Sequence, residues 1–164
     1  MTKDLATKTE PGRRLELVGI SEAYEFSRRH EIPEQWQRFA GIARDAGART
    51  SYGVVQPAPS GFVYWTAIAR PDATGVPAIG LDEITIDAAE FVVVHHVGNV
   101  AQLPATLDAV HTTLFPKLSA RIVENVGFLE RYGPGFDPKT GNGGIDILIP
   151  LKSEGASARP SPQS

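Results

Sequence analysis

The chain has 164 residues, enough for one domain that buries about 70% of its unfolded surface, with 41% hydrophobic and 21% charged residues. Its net charge is −3 and its pI is near 5.8, with Lys and Arg scattered, so no basic stripe marks a nucleic-acid surface. It has no cysteine, which excludes disulfides, thiol catalysis and Cys-based zinc sites. No stretch reaches the ~20 apolar residues of a membrane span, and Met1 to Arg14 contains no signal-peptide core. The expected location is the cytoplasm.

Residues 1–12 are polar, end in Pro11-Gly12 and read as a flexible arm. From Arg13 to Ser27 the chain alternates as a strand, with Leu15, Leu17 and Gly19 on one face and Glu16 and Val18 on the other. A helix follows. Pro33 suits its first turn, Glu31 and Glu34 sit at its positive end, and Gly47 comes after its last turn. Ile32, Trp36, Phe39 and Ala43 form its apolar stripe. Strands are expected over 51–56 and 61–70, with Pro57-Ala58-Pro59-Ser60 as a turn whose prolines stop the ladder.

A Pro- and Gly-rich loop over 71–80 separates two halves. Strands over 81–87 and 90–97 come next, linked through Ala88-Ala89. A second helix spans 103–115, with Leu103, Leu107, Val110 and Leu114 on one face and Pro116 limiting its extension. Strands over 127–132 and 144–151 close the fold, joined by a long turn from Gly133 to Gly143. Residues 152–164 have little to bury and read as a disordered tail.

The pattern of strand, helix, strand, strand occurs twice, over about 13–75 and 79–151. It predicts an α+β fold in which duplicated halves form an antiparallel sheet with two main helices. A groove at the junction of such halves is a favoured ligand position.

Several segments resemble one family. Ile84-Thr85-Ile86-Asp87-Ala88-Ala89-Glu90-Phe91 and Val94-His95-His96-Val97-Gly98 are similar to the central strand pair of GyrI-like domains, the effector-binding domains of AraC-type and multidrug-sensing regulators. Glu130-Arg131-Tyr132-Gly133, Phe136-Asp137-Pro138, Gly141, Gly144 and Ile147 to Pro150 resemble the family's closing hairpin. Tyr52-Gly53-Val54 and Gly61-Phe62-Val63-Tyr64-Trp65 resemble its first hairpin. The chain departs at Lys117, where many members are acidic, and around Ser21 to Arg29.

Read from the residues, Glu130 lies between Phe128 and Tyr132 at strand spacing. If that face is buried, the carboxylate is a seat for a cation or a proton donor and acceptor; otherwise it is a solvated rim charge. The resemblance implies that Glu130 lies in the central groove and meets the ligand with Tyr132. Trp65, Trp36, Phe91 and Tyr24 complete the candidate aromatic walls. Tyr64 and Trp65 must point to opposite faces, and the resemblance favours Trp65 for the groove.

His95 and His96 are adjacent on a strand and cannot chelate one ion together, so no metal or other cofactor is expected. One should be an interior imidazole and the other should face solvent. The expected partner is a hydrophobic or cationic aromatic small molecule, flat and held by apolar burial and stacking with Glu130 as countercharge. The resemblance leaves two other uses open. One is hydrolysis of strained, cyclopropane-bearing electrophiles, with Glu130 as acid or base on water and Tyr132 or Trp65 positioning the substrate. The other is protein docking, as in the gyrase inhibitor for which the family is named. With no helix-turn-helix segment, no direct DNA binding is expected.

Overall fold

Residues whose side chains alternate between apolar and polar form strands here, and residues with an apolar 3.6-residue stripe form helices. The computed structural model describes residues 5–76 and 80–153. Most of the expected tail, the first four residues and positions 77–79 of the central loop lie outside them. The strands are β1 (Thr7–Pro11), β2 (Arg14–Glu25), β3 (Ser51–Ala58), β4 (Gly61–Ala69), β5 (Asp82–Asp87), β6 (Glu90–His96), β7 (Phe128–Tyr132) and β8 (Ile145–Leu151). The helices are α1 (Ile32–Ala46), α2 (Leu103–Thr113) and the single turn α3 (Phe115–Leu118). Among the described residues no helix is long and apolar enough to cross a membrane.

All eight strands join one antiparallel sheet in the order β1-β6-β8-β7-β3-β4-β2-β5. The order is symmetric about the β7–β3 pair, and each half reads strand, strand, helix, strand, strand. The leading strand of each half pairs with the other half: β1 adds to β6, and β5 adds to β2. This corrects two expectations. The arm over 1–12 contains strand β1, and the repeat unit has five elements rather than four. The expected stop at Pro57 is also corrected, because the ladder runs through Pro57↔Phe62 to Ala58↔Gly61. Only Pro59-Ser60 is left for the turn.

Short links force the sheet to curl. Gly12-Arg13 joins β1 to β2 and Ala88-Ala89 joins β5 to β6, although these strands lie near opposite ends of the sheet. The two links touch, with Gly12 N–H donating to Ala89 O at 3.0 Å and Ala88 N–H to Arg13 O at 3.2 Å. A Cβ on Gly12 would lie 2.1 Å from the Ala88 carbonyl oxygen, so the crossing requires glycine. The inner face of the curl carries one core of Leu15, Leu17, Val54, Trp65, Ile86, Phe91, Val93, Leu129 and Leu148.

The helices cover the outer face. Phe39 and Val110 are fully buried, while Trp36, Leu107 and Leu114 pack half-buried against the outer clusters, as their stripes predict. Pro116 falls in the first turn of α3, so it redirects the helix rather than ending it. His96 is the interior imidazole, bonded to Thr106 and to the Asn99 carbonyl. His95 faces solvent beside Asp146.

Arg131 ties β1 down from the inner face. It donates to both Glu10 carboxylate oxygens, at 3.0 and 2.8 Å, and to Asp146 at 2.9 Å. These contacts hold Glu10 below the usual carboxyl range. Because β1 otherwise presents mainly exposed side chains, Arg131→Met should selectively lower amide-exchange protection of residues 7–11. Unchanged protection there would show that backbone pairing with β6 alone secures the strand.

Candidate functional site

Among the described residues, Glu130 is the carboxylate that the fold buries on the outer face, at the pair of strands where the two halves meet. It is only 6% exposed. Phe128, Glu130 and Tyr132 share that face, whereas Leu129 and Arg131 turn inward, as a two-residue period requires. In the β3–β7 register Glu130 lies opposite Gly53. The missing side chain at Gly53 leaves room for Tyr64 to reach across from β4.

The Tyr64 hydroxyl donates to Glu130 Oε1 at 2.6 Å, and the Tyr132 hydroxyl donates to the same oxygen at 2.9 Å. Trp36 Nε1–H of α1 donates in turn to the Tyr64 oxygen at 3.1 Å. Trp36 also stands edge-on to Tyr132, with ring centroids 5.1 Å apart, and Phe136 packs against Tyr132 at 4.9 Å. Phe128 continues the floor toward His111 and Phe115, at 5.8 and 6.2 Å. The carboxyl thus sits in an aromatic setting beneath half-buried rings.

Burial pushes the Glu130 carboxyl above its ordinary value, and the two tyrosine hydroxyls partly oppose the shift. Tyr64 and Tyr132 are pushed well above the usual phenol value, first by burial and then by the Glu130 charge. Both phenols therefore remain donors at neutral pH. They both donate to Oε1, and Oε2 receives no hydrogen bond among the described residues.

The shift has a definite consequence for stability. A raised folded-state value contributes stability below the unfolded value, and that contribution is lost as pH rises through the folded value. Glu130→Gln is therefore expected to gain stability over the parent progressively as pH rises from the ordinary carboxyl value of 4.5. Urea midpoints across pH 4.5 to 8 measure the gap. A gap independent of pH would mean that Glu130 is not desolvated in solution.

The site unites Glu130, Tyr132 and Trp36 among the sequence candidates. Tyr24 lies on the same face but farther along, stacked on Phe62 with its hydroxyl donating to Gln35 at 2.8 Å. Its phenol is pushed up to about 12, chiefly by burial and then by Glu22. Trp65 and Phe91 are corrections, because both belong to the inner core on the opposite face of the sheet. Tyr64 takes the place expected of Trp65. Adjacent aromatics on a strand are indistinguishable until the register is known, and Val55↔Tyr64 beside Gly53↔Glu130 settles which ring faces Glu130. Among the described residues, no group of three or more His, Cys, Asp or Glu is placed to hold a metal ion.

The fold is similar to that of SAV2435 bound to tetraphenylphosphonium, with a TM-score of 0.66 and 23% identity, covering 93% of this chain and 96% of that one. It is also similar to a putative bacterial transcription regulation protein from Staphylococcus aureus MU50, with a TM-score of 0.65 and 22% identity, covering 92% and 99% of the two chains. A hydrolase from Listeria innocua has a TM-score of 0.56 at 11% identity, covering 89% and 91%. At these identities the likeness concerns the fold. Comparison with curated protein sequences gives no match. The sequence itself matches the GyrI-like small molecule binding domain over residues 11–152, nearly all of the sheet and both major helices, and the chain belongs to that family.

Proposed function

We propose that the chain binds a lipophilic aromatic cation over Glu130, in sequestration or in sensing. The observation that carries this reading is the buried carboxyl with both tyrosine hydroxyls on one oxygen. A carboxylate excluded from water lacks a full counterion shell, so a cation that itself prefers apolar surroundings recovers Coulomb energy there. Trp36, Tyr132 and Phe136 offer ring faces and edges to the cation's aromatic groups, adding apolar burial and cation–π attraction. Tetraphenylphosphonium, bound by the structurally similar SAV2435, has this chemistry.

Glu130 is only 6% exposed, so a bulky cation needs the neighbouring half-buried rings of Trp36 and Tyr132, 5.1 Å apart, to turn aside. Cation binding favours the ionised carboxyl, so affinity should rise with pH until Glu130 is fully ionised in the free protein and then level off.

Calorimetric titration with tetraphenylphosphonium, beside the uncharged triphenylphosphine oxide, tests the reading. The cation should bind more tightly, with the preference growing as pH rises. Equal affinities at every pH would remove the countercharge role.

A further inference from the structure

Trp65, turned away from Glu130, stands beside a different cavity at the open end of the curled sheet. The cavity is a solvent-open depression of about 420 Å³, where Val63, Ile84, Val123 and Val126, continuous with the inner core, alternate with the polar residues Gln56, Glu124 and Asn125. This volume lies within the ~300–1,000 Å³ of small-molecule sites. The sheet separates it from Glu130, since its β4 residue, Val63, faces opposite to Tyr64.

A polar relay lines one side. Trp65 Nε1–H donates to Gln56 Oε1 at 2.6 Å, and Gln56 Nε2 donates to the Asn125 carbonyl at 2.9 Å. Asn125 adopts a left-handed backbone with φ 72, a conformation that Asn tolerates better than most residues. An amide nitrogen carries two N–H groups. With its oxygen taken by Trp65 and one N–H by Asn125, Gln56 holds one further donor at the cavity wall. Glu124 is the charged lining residue and no Lys or Arg joins it, which disfavours anions. Glu124 is itself exposed to water and gives a cation little Coulomb gain.

The geometry points to a second ligand site at this cavity, which takes a neutral molecule with one apolar face, for the valine and isoleucine wall, and a carbonyl or ether acceptor for the Gln56 amide. Apolar walls supply burial energy, and the single donor fixes orientation. The site is independent of the Glu130 chemistry.

Prodan (6-propionyl-2-dimethylaminonaphthalene), a neutral naphthalene ketone whose emission shifts to the blue in apolar surroundings, is a direct probe. Titrated into the full chain with excess tetraphenylphosphonium present, it should give a saturable blue shift and, in a Trp36→Phe background, quench the remaining Trp65 emission. Val123→Phe, at a half-buried lining position, should crowd the cavity and weaken the probe by at least roughly tenfold. Val63→Phe should do the same from the wall, with circular dichroism confirming the fold of both variants. Tetraphenylphosphonium titrations of Val123→Phe should match those of the parent. Absence of a saturable shift would overturn the inference. So would a shift that tetraphenylphosphonium abolishes and Val123→Phe retains, since the probe would then occupy the Glu130 site. The probe result can be read whether or not the cation binds.

Discussion

Glu130→Gln is expected to weaken tetraphenylphosphonium binding by about 1.5–3 kcal/mol, roughly 10- to 150-fold. The variant keeps the side-chain shape and the oxygen that accepts from Tyr64 and Tyr132, but it removes the charge. At an effective dielectric near 20, unit charges about 6 Å apart interact by about 3 kcal/mol. The lower end allows for partial protonation of the raised carboxyl in the free protein. Triphenylphosphine oxide should lose much less, because burial and ring contacts are unchanged. If Glu130 instead serves hydrolysis as a proton donor or acceptor, the same variant would lower turnover of a strained electrophile by roughly 10²–10⁴ while substrate affinity barely moved. Calorimetry and a hydrolysis assay on one variant therefore distinguish countercharge from catalyst. An unchanged result in both would remove Glu130 from either role.

How much of this was legible in the sequence follows from what each signal depends on. The stripes Ile32-Trp36-Phe39-Ala43 and Leu103-Leu107-Val110-Leu114 place both helices, because helix burial leaves a local imprint. Seven of the eight strands are visible through alternation and turn residues. β1 is not. Thr-Lys-Thr-Glu-Pro at a sheet edge exposes most of its side chains, so its strand character comes from backbone pairing with β6. The exchange of leading strands between halves is equally invisible, because pairing partners far apart in sequence leave no local mark.

The site divides in the same way. The period of two groups Glu130 with Tyr132, and the apolar stripe of α1 includes Trp36. Which of Tyr64 and Trp65 meets Glu130 depends on a register of strands about 66 residues apart. Phe91 looked like a wall residue because it is aromatic and near the family's central strands, yet its parity assigns it to the inner core. Gly53 was visible only as part of a hairpin resemblance. Its importance comes from the residue opposite it.

Gly53→Ala should damage both stability and binding, the second large effect expected here. In a strand interior Ala normally gains roughly 0.5–1 kcal/mol over Gly by reducing the entropy of the unfolded chain. At this position a Cβ would fall 2.2 Å from the Tyr64 hydroxyl oxygen, 2.6 Å from Glu130 Oε1 and 2.9 Å from Tyr64 Cζ. All three lie far inside van der Waals contact. Both side chains are buried, and Tyr64 is held at its hydroxyl by Trp36 and Glu130 together, so neither can yield without breaking a hydrogen bond. Overpacking costs about 1–3 kcal/mol, and a buried group left unsatisfied adds about 1–3 kcal/mol, which outweighs the entropic gain. Urea unfolding should therefore show net destabilisation, and cation affinity should fall although Glu130 itself is untouched. Gly41→Ala, a helical control whose added Cβ would meet nothing closer than 3.7 Å, should be neutral or stabilising. If Gly53→Ala behaves like that control, Tyr64 does not cross β3 to reach Glu130, and the hydrogen-bonded carboxyl at the centre of the site is not as described.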